Sequence, residues 1–93
     1  MRNIYYRDAI REALEEEFAR DSNVLMLGED IGPCGGTWKE NLGLWEKYGD
    51  MRVRDTPISE SGFVGMGVGM ALTGLHPIIK VRFSDFMLVA MDQ

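Results

Sequence analysis

Cysteine and histidine each occur once, as Cys34 and His76. That scarcity excludes an internal disulfide framework and a zinc site built from several cysteines or histidines, so no metal site is expected. It also leaves a Cys–His nucleophilic pair without any local motif. Cys34 reads as a small residue in a turn and fits a reducing compartment, so a cytoplasmic location is expected. Basic residues are in the minority, 10 against 15 acids for a formal net charge of −5, and neither nucleic acid nor an anionic membrane surface is an expected partner. No basic segment followed by an apolar core opens the chain, so no export signal is read. The longest apolar stretch, Phe63 to Leu75, is shorter than the about 18 residues needed to cross a bilayer, although Gly65 and Gly69 have membrane-dimer spacing.

What is present is ordinary globular material: 93 residues, 45% hydrophobic and 27% charged, enough for one small domain. Ile10, Ala13, Leu14 and Phe18 recur on one face of a helix expected over 7–20, with acids and arginines elsewhere. Val24-Leu25-Met26-Leu27 is a continuous apolar run of strand length, the pattern of a parallel-sheet strand covered on both faces. A glycine-rich loop, GEDIGPCGG, follows, and its acids Glu29 and Asp30 sit directly at the strand's carboxyl end, where open parallel sheets bind ligands; solvated turn acids are the competing explanation. A second helix is expected over 39–48, with Leu42, Trp45 and Leu44 inward and Gly49 as its stop; Trp38 and Trp45 are read as packing residues. A short strand over 52–56, a helix from Glu60 or Ser61 to Thr73 stopped by Gly74, a strand over 76–83 and the start of a helix over 85–93 complete the pattern. The fold class expected is α/β, a parallel sheet flanked by helices.

Glycine-rich runs invite a nucleotide reading, but Gly65-Met66-Gly67-Val68-Gly69-Met70 lacks the third glycine of the dinucleotide fingerprint, and no lysine stands where a phosphate loop needs one. Gly62, Gly65 and Gly69 fall at i, i+3 and i+7, which places a face without side chains where another backbone or a ligand could approach. The run Thr56-Pro57-Ile58-Ser59-Glu60-Ser61-Gly62-Phe63 carries the chemistry of most interest. It sets a lone carboxylate, Glu60, where an extended segment turns into an apolar helix. A carboxylate between Ile58 and Phe63 is poorly solvated unless something hydrogen-bonds it, and a heteroaromatic nitrogen of a bound cofactor would serve. Alternatively, Ser59, Glu60 and Ser61 simply cap the helix, accepting its orphan N–H bonds.

The segments YRDAIREALEEE, NVLMLGEDIGPCGG, LWEKYGDMRVRDTPISESGFVGMGVGMALTGLHPI and VRFSDFMLVAMDQ, in this order and spacing, resemble the amino-terminal part of the beta subunit of 2-oxo acid dehydrogenases. These are the thiamine diphosphate-dependent, decarboxylating first components of their complexes. The resemblance spans nearly the whole chain. It implies a transketolase-like, pyrimidine-binding domain of thiamine diphosphate, incomplete over 1–93, with the family's active-site histidine and carboxy-terminal domain beyond Gln93. It further implies that Glu60 hydrogen-bonds a ring nitrogen of the cofactor's aminopyrimidine, so that the cofactor's own amine acts as the base that generates its nucleophilic carbon. Phe86 would lie against the pyrimidine face, Ile58 and Arg82 would border the pocket, and Glu29 would belong to a surrounding acidic shell. Arg82 stands where relatives carry uncharged or amide side chains, and a cation beside the pyrimidine disfavours protonating its ring.

By the same resemblance, the diphosphate and magnesium are held by a partner alpha subunit. The assembly would contain a second beta subunit and pass its acyl group to a lipoyl acyltransferase component. The activity implied is oxidative decarboxylation of pyruvate or a branched 2-oxo acid within a heterotetramer, the piece alone being inactive. An acetoin dehydrogenase beta subunit is the nearest enzymatic alternative. A non-catalytic interaction module, using the Gly62 face to pack on a partner helix, is the alternative of a different class.

Overall fold

The computed structural model describes residues 1–93. Its elements are helix α1 (Tyr6–Arg20), strand β1 (Val24–Gly28), helix α2 (Leu44–Tyr48), strand β2 (Val53–Asp55), helix α3 (Glu60–Leu72), strand β3 (His76–Lys80) and a 3-10 helix (Ser84–Ala90). The strands form one parallel sheet in the order β2-β1-β3. The α/β class read from the apolar run of β1 is therefore the observed one, and β1, with neighbours on both sides, is buried along its whole length.

Alternation along β1 divides the interior into two layers. On one side Val24 and Met26 join Leu14 and Phe18 of α1, Ile31, Leu44 of α2 and Val53 of β2 in a single cluster, with Trp45, Tyr48 and Ile78 at its margin. On the other side α3 packs on β1 and β3, and Phe63 is 1% exposed. Burying a side chain of that size stabilises by roughly 2–3 kcal/mol.

Several boundaries differ from those expected, each for a local reason. Helix α2 starts at Leu44 rather than Lys39, because Lys39 (φ 60°) and Gly43 (φ 94°) take left-handed backbone that breaks a helix. Leu42, expected inward, is consequently exposed, while Leu44 is buried. Trp38 is 62% exposed and packs less than expected, whereas Trp45 lies against the core. Gly49, at φ 79°, stops α2 by donating its N–H to the Trp45 carbonyl at 2.8 Å, as its position suggested. On α1, Leu14 and Phe18 are buried but Ala13 and Ile10 are not, and Ile10 lines a cavity of about 650 Å3 with Tyr6, Trp38 and Ile78.

Strand β3 ends at Lys80 rather than Phe83, because its ladder with β1 runs out at the pair Gly28–Lys80. The last segment is a 3-10 helix rather than the beginning of an α-helix, held to α3 by the Ser61 hydroxyl donating to the Val89 carbonyl at 2.8 Å. The close approach made by α3 occurs at Gly67, where an added Cβ would lie 2.5 Å from Ile79 Cδ1, and not along the expected Gly62, Gly65 and Gly69 face. Of that trio Gly65 meets Gln93 and Gly69 meets nothing. Gly74, at φ 99°, follows the end of α3. No helix is long and apolar enough to cross a membrane.

Candidate functional site

Register places the ends of all three strands side by side, since Gly28 pairs with both Asp55 and Lys80. The segments that leave those ends therefore converge on one edge of the sheet. Glu29 leaves β1, Thr56 to Glu60 leave β2, and Val81-Arg82 leave β3. Gly28 itself has to be small, because a Cβ there would lie 2.9 Å from the Lys80 carbonyl oxygen.

The loop after β1 is tied over this edge by its own backbone. Gly32 N–H donates to Asp55 Oδ1 at 2.7 Å, Gly36 N–H to the Asp30 carbonyl at 2.9 Å, and buried Asn41 Nδ2 to the Ile31 carbonyl. Asp30 adopts a left-handed φ of 54° in this turn. Deeper in the same edge Lys80 forms an ion pair with Glu40 and donates to Thr37 Oγ1 at 3.4 Å. Burial opposes ionisation of Glu40, yet the hydrogen bond from Lys80 and backbone N–H donors hold its carboxyl below the usual range.

Glu60 is the first residue of α3 and only 8% exposed. The capping alternative is not what is observed: Ser59 is the N-cap residue and its side chain makes no cap hydrogen bond. The Glu60 carboxyl instead stands near that of Glu29, which is 6% exposed, close enough for its charge to act on it. Burial pushes the Glu29 carboxyl above its ordinary range; the neighbouring Glu60 carboxyl and the charge of Asp30 add to this, and Arg82 opposes it. Arg82 Nη1 stands 3.8 Å from Glu29 Oε2 and 3.2 Å from Asp30 Oδ2, and its Nε donates to Thr37 Oγ1 at 3.0 Å.

Three buried side-chain atoms have no partner: Glu29 Oε1 and Thr56 Oγ1, just beyond the ends of β1 and β2, and Asn41 Oδ1 in the loop above them. Native interiors leave few such atoms unpaired, so orphans at one edge of the sheet suit a polar ligand. Thr56 also lines a cavity of about 250 Å3 with Asp55, Ser59, Gly62 and Phe63. The larger 650 Å3 cavity reaches Lys80 and Arg82 but neither Glu29 nor Glu60. No group of three His, Cys, Asp or Glu side chains is arranged to hold a metal ion.

Of the residues singled out from sequence, the fold brings Glu29, Glu60 and Arg82 together. Ile58, 79% exposed, and Phe86, exposed and edge-on to Phe83 at 6.0 Å, stand outside the buried cluster. Thr37 and Thr56 were missed. Thr56 carries a usable signal, a hydroxyl immediately beyond a short strand; Thr37 carries none, because its role depends on the Arg82 side chain reaching it.

Comparison with known proteins gives the family of the chain. A family model described as transketolase, pyrimidine binding domain, matches residues 2–93. The chain is 47% identical over 93 residues to the pyruvate dehydrogenase E1 component subunit beta of Chaetosphaeridium globosum, covering 100% of this chain and 28% of that protein. It is 48% identical over 88 residues to the 2-oxoisovalerate dehydrogenase subunit beta of Bacillus subtilis, covering 95% and 27% respectively. With the mitochondrial pyruvate dehydrogenase E1 component subunit beta of Homo sapiens it shares 48% over 87 residues, 94% of this chain and 24% of the relative. The chain thus spans about a quarter of the length of these relatives. A match along nearly the whole chain, on a parallel sheet with a buried acid pair at its carboxyl edge, shows that the chain belongs to the transketolase pyrimidine-binding domain family and is similar to the beta subunits of 2-oxo acid dehydrogenases.

Proposed function

We propose that this chain supplies the pyrimidine side of a thiamine diphosphate site in a 2-oxo acid dehydrogenase, working as part of a beta subunit. The observation that carries the reading is the burial of both Glu60 and Glu29 at the carboxyl edge, with no capping bond to account for Glu60. The residues present fit the group: a carboxyl for a ring nitrogen, and the orphan atoms Thr56 Oγ1 and Glu29 Oε1 at the same edge of the sheet for further polar contacts. Thiamine diphosphate supplies the nucleophilic carbon and the electron sink that decarboxylation requires.

Glu60 would hold a proton at the cofactor's aminopyrimidine ring nitrogen, the role of an acid–base carboxyl. The first turn of α3 holds that carboxyl, and Phe63, one turn further along the same helix, is 1% exposed. Phe86 would lie against the pyrimidine face, and Ile58 and Arg82 would border the pocket. The diphosphate and its magnesium are held by a partner alpha subunit, a second beta subunit completes the heterotetramer, and the acyl group passes to the lipoyl acyltransferase component. Relatives named for pyruvate and for 2-oxoisovalerate support a substrate of the 2-oxo acid class.

The test uses the beta subunit containing this chain, assembled with its alpha partner. Glu60→Gln should leave assembly intact while decarboxylation of pyruvate or 2-oxoisovalerate falls by at least about 10-fold, within the range for acid–base groups. Unchanged turnover sinks the assignment.

A further inference from the structure

This inference rests on the reading of the carboxyl edge above and concerns what holds its two arms in place. Two hydrogen bonds join the exits of β1 and β2, one on either side of Glu29. Thr56 N–H donates to the Gly28 carbonyl at 2.9 Å, one residue before Glu29, and Gly32 N–H donates to Asp55 Oδ1 at 2.7 Å, three residues after it. Glu29, Asp30 and Ile31 are therefore enclosed in a small ring that the adjacent residues Asp55 and Thr56 close. Within it Asp30 takes its left-handed φ of 54° and Ile31 is 0% exposed, so the turn that carries buried Glu29 is held in an uncommon conformation.

The first of these bonds runs between backbones and is indifferent to side chains; the second depends on one side chain. Gly32 is buried, so without the Asp55 carboxylate its N–H is an orphan donor, and a carboxylate is a stronger acceptor than a neutral group. The fit is close: a Cβ on Gly32 would lie 2.8 Å from Asp55 Oδ2 and 3.1 Å from Asp55 Cγ. The atoms left for a ligand stand on both arms of the ring, Glu29 Oε1 on one and Thr56 Oγ1 on the other. We propose that Asp55 is a positioning residue: by tying Gly32 to the end of β2 it fixes the separation of the two arms, and with it the polar edge that receives the cofactor's pyrimidine. It acts through the backbone of the loop, so its loss weakens cofactor binding and leaves the acid–base role to Glu60.

The experiment uses the beta subunit containing this chain, assembled with its alpha partner. In the cofactor-free assembly, amide hydrogen exchange over 29–32 should quicken in Asp55→Ala and stay near wild type in Asp55→Asn, whose Oδ1 still accepts the bond. Calorimetric titration with thiamine diphosphate and magnesium should show Kd raised about 10-fold in Asp55→Ala, the size expected on losing a hydrogen bond to a charged group, and returned toward wild type in Asp55→Asn. The decarboxylation deficit should fall on KM for thiamine diphosphate rather than on kcat. Gly32→Ala attacks the same contact from the other side, so it should weaken binding too, and combining it with Asp55→Ala should cost little more than either alone. Wild-type exchange or wild-type affinity in Asp55→Ala, a deficit confined to kcat, or additive losses in the double variant overturn the proposal. If Asp55→Ala does not assemble, the other two variants decide it: wild-type affinity in Gly32→Ala, or weakened affinity in Asp55→Asn, overturns it. Unchanged turnover in Glu60→Gln sinks the reading of the site, whereas failure of the Asp55 and Gly32 arms beside an impaired Glu60→Gln sinks only the latch.

Discussion

The two ends of the sheet solve the same problem, charged side chains at strand termini, in opposite ways. At the amino end Arg52 stacks on Phe18 and Tyr48, 4.7 Å from each ring centroid, and donates to the carbonyls of Val24, Phe18 and Asp21 at 3.0, 2.9 and 2.9 Å. Asp21 accepts from the Asn23 N–H and meets His76 Nδ1, each at 2.9 Å. At the carboxyl end two acids are buried together, and Glu29 Oε1 and Thr56 Oγ1 are left without partners. One end is closed by its own hydrogen bonds; the other keeps polar capacity in reserve. Unspent polar capacity in a buried place is costly, so its presence at one end only marks that end as the place for a ligand.

The largest effect that separates the ends is on stability. Arg52→Ala should destabilise the fold by about 3 kcal/mol, because three carbonyls lose a charged donor and two rings lose their stacking partner. Urea unfolding measures it as a lowered midpoint, and a loss no greater than that of an exposed arginine would erase the contrast. Glu60→Gln is its counterpart, costing turnover while leaving assembly in place.

A smaller effect is the opposite pH dependence of the two ends. Asp21 is held below the ordinary carboxylate range first by the Asn23 N–H and then by His76. Its contribution is therefore present above that range and lost as pH falls through the lowered folded value. Glu29 is raised, mainly by burial, so its contribution is present below the ordinary range and lost as pH rises through the raised folded value. Thermal unfolding across pH should show Asp21→Asn flattening the acid limb and Glu29→Gln flattening the decline at higher pH. Equal slopes in wild type and Glu29→Gln would show that the acid pair carries no strain. The smallest effect belongs to neither end: Cys34 is exposed and free, and Cys34→Ser should leave melting temperature and turnover unchanged.

Much of the fold is legible in the residues. The apolar run of β1, the Leu14 and Phe18 spacing of α1 and the glycine stops at Gly49 and Gly74 are local signals, and each element stands close to its expected position. What was not legible depended on neighbours. Lys39 to Gly43 carry a helical pattern, but the turn that wraps Asn41 under Ile31 overrides it. Strand β3 stops where β1 stops, a limit set by pairing and invisible in Val81-Arg82-Phe83. Gly67 rather than the Gly62 face meets the sheet, because rotation of α3 is settled by Phe63 entering the core and Ile79 opposing it.

The sequence by itself determined the class of fold and the position of Glu60 at a strand-to-helix junction, since both follow from hydrophobic periodicity and turn chemistry within a few residues. Only the tertiary structure decided that Glu29, Glu60 and Arg82 share one cluster. They leave three different strands, and only parallel pairing in the register Gly28 to Asp55 and Gly28 to Lys80 brings those strand ends, and therefore the charges, within reach of one another.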